Sequence, residues 1–150
     1  MADIRERFIM TNGVNLHVLE AGPQDGPVVV FLHGFPDCSF AWRRHLQYFG
    51  DRGYLAVAPD QRGYNVSDKP EGVKSYSPDE LARDVVGLIE SYGREQVFLV
   101  GHDLGGMVSW WTTAHYPERI KRLVIMNCPH PNVIRQNLFV NVKQMQKSWY

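Results

Sequence analysis

Residues 97 to 116 read VFLVGHDLGGMVSWWTTAHY, an apolar run that breaks at Gly101 and passes into a helical pattern within three residues. A buried strand can enter a helix that quickly only through a sharp, strained turn. Such turns follow the pattern G-x-S-x-G, with a serine held out at the apex. Here Gly101 and Gly105 stand at the glycine positions and Asp103 replaces the serine. The strand before the turn must lie in a sheet, and ligands of open α/β sheets bind beyond the carboxyl ends of the strands. Asp103 is therefore expected at the mouth of a crevice.

The rest of the chain supplies that sheet. Arg5 to Met10 and Val14 to Glu20 are two strand-like runs joined by Asn12-Gly13, the strongest short hairpin signal because both residues accept positive φ. PVVVFLHG carries an apolar run with no polar alternation, the mark of a strand covered on both faces. Ser39 to Gly50 places Trp42, Leu46 and Phe49 at helical spacing, and Tyr54 to Ala58 is a short strand. Ser77-Pro78-Asp79-Glu80 opens a further helix, with Ser77 as cap, Pro78 at the first position and Glu80 three residues on. Gly93 stops that helix, and the helix after the sharp turn runs from about Leu104 to Tyr116. Leu123 to Met126 reads as another doubly buried strand, and Ile134 to Tyr150 as a last amphipathic helix. Strands alternating with helices predict a mostly parallel α/β sheet with an N-terminal antiparallel hairpin and helices on both faces.

Bulk properties narrow the function. Sixteen basic and sixteen acidic side chains cancel, and no block of like charge offers a footprint for nucleic acid or an anionic membrane. No run reaches the roughly 18 apolar residues of a spanning helix, and MADIRERFIM lacks the apolar core of a secretory signal, so a cytoplasmic setting is expected. Cys38 and Cys128 fit neither a metal pattern nor a disulfide framework and read as buried, unreactive thiols.

The apex residue decides the chemistry. A serine there suits acyl transfer, whereas a carboxylate is already ionised and can displace a leaving group from saturated carbon. The ester so formed contains the carbonyl of Asp103 itself, and water must then attack it. The amide of Leu104, first in its helix, and that of Phe35 in the HGFP turn are the natural donors to the resulting oxyanion. Phe35, His33 and Pro36 in the same turn are candidate substrate contacts.

HGFP at 33 to 36, RGYNVSDKP at 62 to 70, GHDLGG at 101 to 106 and NCPHPN at 127 to 132 resemble epoxide hydrolases of the α/β-hydrolase fold. That resemblance implies hydrolysis of a small-molecule epoxide to a vicinal diol through an ester on Asp103, without metal or organic cofactor. It implies a core over 1–132 and the beginning of a lid over 133–150, whose KSWY makes Tyr150 a candidate ring-opening tyrosine. It also implies that the catalytic histidine and its acid lie beyond this chain, so a missing C-terminal half or self-association is expected to complete the site. The sequence departs from the family at Leu104, where tryptophan is common, and at Asn65, where glycine is common. A haloalkane or haloacid dehalogenase could use the same aspartate, and a non-catalytic half-fold docked to a complementary chain is a third reading. His33, His102 and His130 lie near the site loops but read as local hydrogen-bonding residues, and Asp60 and Asp37 as structural or loop carboxylates. Trp42, Trp110 and Trp111 read as packing.

Overall fold

The computed structural model describes residues 1–138, 140 and 142–147. Strands β1 (Ile4–Thr11) and β2 (Val14–Ala21) form the hairpin, closed by Asn12 and Gly13 at φ 45° and 74°. Strands β3 (Val28–Leu32), β4 (Leu55–Pro59), β5 (Val97–His102) and β6 (Ile120–Met126) follow, interleaved with α1 (Arg43–Gly50), α2 (Pro78–Ser91) and α3 (Leu104–His115). Two short helices, α4 (Pro131–Leu138) and α5 (Val142–Lys147), come last. The sheet order is β1-β2-β4-β3-β5-β6. The β1/β2 and β2/β4 pairs are antiparallel; β4/β3, β3/β5 and β5/β6 are parallel. This is the mixed α/β sheet that the sequence pattern predicts.

Burial explains the sequence of each strand. All five residues of β3 and all five of β4 are buried, because helices cover both faces at the centre of the sheet. On one face Val30, Leu32, Val57 and Leu99 pack with Val85, Leu88 and Ile89 of α2 and Val108 of α3. On the other, Val29, Phe31, Ala56 and Ala58 pack with Trp42 and Leu46 beside α1. The small alanines of β4 let α1 lie close. Helix α2 begins as its sequence requires, with Ser77 Oγ accepting from Glu80 N at 3.4 Å and Pro78 in the first turn. Gly93, at φ 64°, follows its end.

Several expectations change. The Ser39–Gly50 helix is a short 3-10 turn over Ser39–Trp42 followed by α1. Strand β6 starts at Ile120 and is not doubly buried. It is the last strand of the sheet, and Val124 is 50% exposed. In the described part of 134–150, two helices, α4 and α5, stand where one was expected, and α4 starts earlier because Pro131 suits a first helical turn. Trp42 is core, but Trp111 lies on the surface of α3, donating to Asp79 Oδ1 at 2.8 Å and stacked on His115. Both cysteines are half-buried rather than buried.

Candidate active site

The turn between β5 and α3 puts Asp103 at φ 52° and ψ −119°, a conformation that costs an L-residue about 1–3 kcal/mol. Its backbone is held from three sides. Asp103 N donates to Met126 O at 3.1 Å, and Asp103 O accepts from Gly106 N at 2.9 Å and Met107 N at 3.2 Å. The glycines around it serve close approach rather than unusual φ. A Cβ on Gly101 would lie 2.3 Å from Ser109 Oγ, one on Gly105 2.3 Å from Leu32 O, and one on Gly106 2.6 Å from Cys128 Cβ. Those contacts let α3 pack directly against β3 and β6. The side chain of Asp103 makes no capping bond and is exposed.

The HGFP turn meets Asp103 from β3. Phe35 N donates to Asp103 Oδ1 at 3.1 Å, and a Cβ on Gly34 would lie 2.6 Å from Asp103 Cβ. Leu104 is the first residue of α3, so its amide has no acceptor within its own helix. Of the two amides expected as donors, Phe35 N thus bonds the carboxylate, and Leu104 N opens the helix that follows it.

Beneath the HGFP turn lies a polar support that sequence reasoning missed in part. Gln61 Nε2 donates to His33 O at 2.7 Å, and Gln61 N donates to His33 Nε2 at 3.1 Å. The other ring nitrogen of His33, Nδ1, is 3.0 Å from Gly34 O and so carries the proton. Burial pushes the imidazole's pKa below its ordinary value, against smaller opposing effects from Gly34, Asp60 and Asp37. Asp60, fully buried, accepts from Ser39 N at 2.7 Å and Asn65 Nδ2 at 2.8 Å and lies 2.8 Å from His17 Nδ1. Burial acts to raise its pKa, and these donors outweigh that and hold it below the usual range. Asn65 has φ 43°, the left-handed angle that a glycine would serve there. Only the polar type of Gln61 was visible in the sequence; nothing in its spacing marks it as the partner of His33.

Asp103 sits in an open hollow of about 710 Å³. Phe35, Tyr64, Leu104, Met107, Cys128 and Ile134 are among its walls, with Asn127 and Asn137 on the β6 and α4 side. Phe35, 72% exposed, leans into it. The other proposed contacts are placed differently. The ring of His33 is 1% exposed, is fully bonded and lines a separate hollow with His45 and His102, so it supports the turn instead of meeting a ligand beside Asp103. Pro36 is exposed and is not among the described lining residues. Tyr150 lies outside the described residues. Cys128, taken as an inert thiol, lines the hollow, where burial and then the charge of Asp103 push its pKa up.

None of the described lining residues is a histidine. His17 is bonded to Asp60, His115 stacks on Trp111, and His130 packs on Trp110 with its Nδ1 accepting from Asn132 N. Among the described residues, no cluster of three or more His, Cys, Asp or Glu could hold a metal ion, and no helix is long and apolar enough to cross a membrane.

Comparison with known proteins agrees with this fold. The chain is 43% identical over its full 150 residues to the AB hydrolase superfamily protein YfhM of Bacillus subtilis, of which it covers 52%. It is 42% identical over 144 residues to epoxide hydrolase 1 of Caenorhabditis elegans, covering 96% of this chain and 35% of that one. An epoxide hydrolase from Vigna radiata superposes with a TM-score of 0.82 at 42% identity, over 91% of this chain and 47% of that one. The chain thus spans about half the length, or less, of these relatives. The family model of the α/β-hydrolase fold matches residues 27–148. With the sheet order and the Asp103 turn, that match settles the family: the chain belongs to the α/β-hydrolase fold family.

Proposed function

We propose that this chain carries the nucleophilic half of an epoxide hydrolase, with Asp103 as the nucleophile at the apex of a nucleophile elbow. The observation that carries the reading is the hydrogen bond from Phe35 N to Asp103 Oδ1, in the wall of an open hollow. It distinguishes the two carboxylate oxygens. Oδ2 is left to attack a ring carbon of the epoxide, the C–O bond breaks, and its electron pair leaves on the ring oxygen, which takes a proton. Oδ1 becomes the ester carbonyl oxygen. Water then adds to that carbonyl, and the amides of Phe35 and Leu104 form the oxyanion hole. Collapse releases the diol and regenerates Asp103. Each such amide is worth roughly 3 kcal/mol of barrier.

Ester hydrolysis needs a base to take the proton of water. Because no histidine is among the described residues lining the hollow, the 150-residue chain forms the ester and stops there. Residues 133–150 are the beginning of a lid in this reading, and Tyr150 a ring-opening donor. Treatment with a terminal epoxide should raise the intact mass by one epoxide, located on Asp103 by peptide sequencing, and Asp103→Asn should show no adduct. Steady multiple turnover by the isolated chain sinks the stalled-ester idea; halide release without diol or ester from the epoxide would favour displacement of halide instead.

A further inference from the structure

On the β4 side, the hollow holding Asp103 has a single described lining residue, Tyr64. The amide side chains in its walls, Asn127, Asn137 and Gln144, come from the opposite side, after β6 and on α4 and α5. Tyr64 is fixed by the same support that holds the HGFP turn. Its backbone N donates to Gln61 O at 3.0 Å, Gln61 is tied twice to His33, and the Tyr64 and His33 rings pack edge to face with centroids 4.8 Å apart. Gly63, at φ 87°, carries the chain into that turn, where a Cβ would meet the Tyr76 ring at 2.7 Å. The ring is therefore placed relative to Phe35 N by a rigid, buried unit. Among the described residues its hydroxyl has no hydrogen-bond partner, whereas Tyr92, the half-buried tyrosine at the other end of the sheet, donates to Glu20.

We propose that Tyr64 is a substrate-binding residue whose hydroxyl donates to an oxygen carried beside the epoxide ring, so that the hollow selects epoxides bearing such an acceptor over hydrocarbon ones. This rests on the reading of Asp103 as an epoxide nucleophile. The hydroxyl acts as a donor throughout the neutral range, because burial and then the charge of Asp103 push the phenol above its ordinary pKa. A phenol so held offers a proton to an ether, ester or hydroxyl oxygen and gives no corresponding contact to a methylene. The apolar walls from Phe35, Leu104 and Met107 then take the hydrocarbon part of the same molecule.

Two probes of equal shape isolate the contact: phenyl glycidyl ether, and phenethyl oxirane, in which a methylene replaces the ether oxygen. The rate of adduct formation on Asp103 is followed by intact mass in the unmodified chain and in Tyr64→Phe. Comparing the ratio of rates between the two proteins cancels the intrinsic reactivities of the epoxides. The expected result is that the ether-to-methylene ratio falls about tenfold in Tyr64→Phe, the effect of one hydrogen bond. An equal ratio in both proteins, with adducts forming normally, overturns the inference and leaves the role of Asp103 intact. If neither epoxide modifies Asp103, the nucleophile reading fails, and the diols corresponding to the two epoxides decide the binding claim. A Tyr64 Cζ resonance that the ether diol moves more than the hydrocarbon diol supports the contact, and equal movement refutes it.

Discussion

The two faces of the sheet are finished to different degrees. On the α2/α3 face, Val97 and Leu99 of β5 are buried and join a continuous core that runs from Ile9 of β1 to Ile120 of β6. On the α1 face the alternate residues of the same strand, Phe98 and Val100, are only half-buried, as is Met126 of β6. Among the described residues a single α-helix, α1, covers that face, and it lies chiefly over β2 and β4. One strand can thus read as fully apolar while only every second residue is covered. The lesson is that an apolar run reports what a strand is built to touch, and a neighbouring element must still arrive to touch it.

The comparison predicts unequal sensitivity. The largest effect should come from the buried ion pair on the covered face, where Arg62 Nε and Nη2 each lie 2.5 Å from an Asp84 oxygen and Arg62 Nη1 donates to Ser75 O at 2.7 Å. Asp84→Ala leaves a guanidinium that is 3% exposed with Glu80 Oε2, 3.9 Å away, as its remaining carboxylate, and should cost about 3–5 kcal/mol in urea unfolding. Replacing both partners, Arg62→Met with Asp84→Leu, should recover most of that loss. A double variant as unstable as the single one would show that the pair is needed for more than charge balance. Next, Leu88→Ala in α2 should cost about 2–5 kcal/mol, because its fully buried side chain leaves a cavity. Val100→Ala on the other face should cost about 1 kcal/mol or less. Equal losses at the two positions would mean that the α1 face is covered in solution, by self-association or by another chain.

The smallest effect is in acid. His33 is held neutral by burial, so its folded pKa lies below the unfolded value of about 6.5. In the window between those values the unfolded chain binds the proton and the folded chain does not. Stability is therefore complete above the ordinary histidine range and falls as pH drops through it. His33→Asn should flatten that part of the pH profile. An unchanged slope would place the acid sensitivity elsewhere.

What could be read from the sequence divides along the same line. The hairpin, the cap at Ser77, the stop at Gly93 and the Asp103 turn are local devices, each decided by a few adjacent residues, and the structure has them where the sequence puts them. The doubly buried reading of Leu123–Met126 failed because burial depends on what lies beside β6, which no local pattern encodes. His33 was legible in kind, as a local hydrogen-bonding residue, but not in its partners. A histidine in a site loop suggests a ligand contact, but its two ring nitrogens are committed to Gly34 and to Gln61, twenty-eight residues away in sequence. Gln61 and Tyr64 were likewise invisible, since their value comes from a β4 turn folding against a β3 turn.

Among the described residues, Asp103, Asn65 and Asn127 are three of the four non-glycine residues with positive φ, and Asp103 and Asn127 both line the hollow, with Asn65 next to Tyr64 in sequence. For directed evolution this concentration of backbone strain has an awkward consequence. Glycine at Asn127 would relieve up to about 1 kcal/mol, so Asn127→Gly should raise the melting temperature, whereas Asn65→Gly also removes the donor to buried Asp60 and should not. The same selection acts on Asp103, whose φ of 52° with ψ of −119° is an uncomfortable pair for a residue bearing a Cβ. A library screened for heat resistance alone would drift toward Asp103→Gly, a sturdier molecule without the proposed nucleophile, and every round needs a chemical readout beside the thermal one.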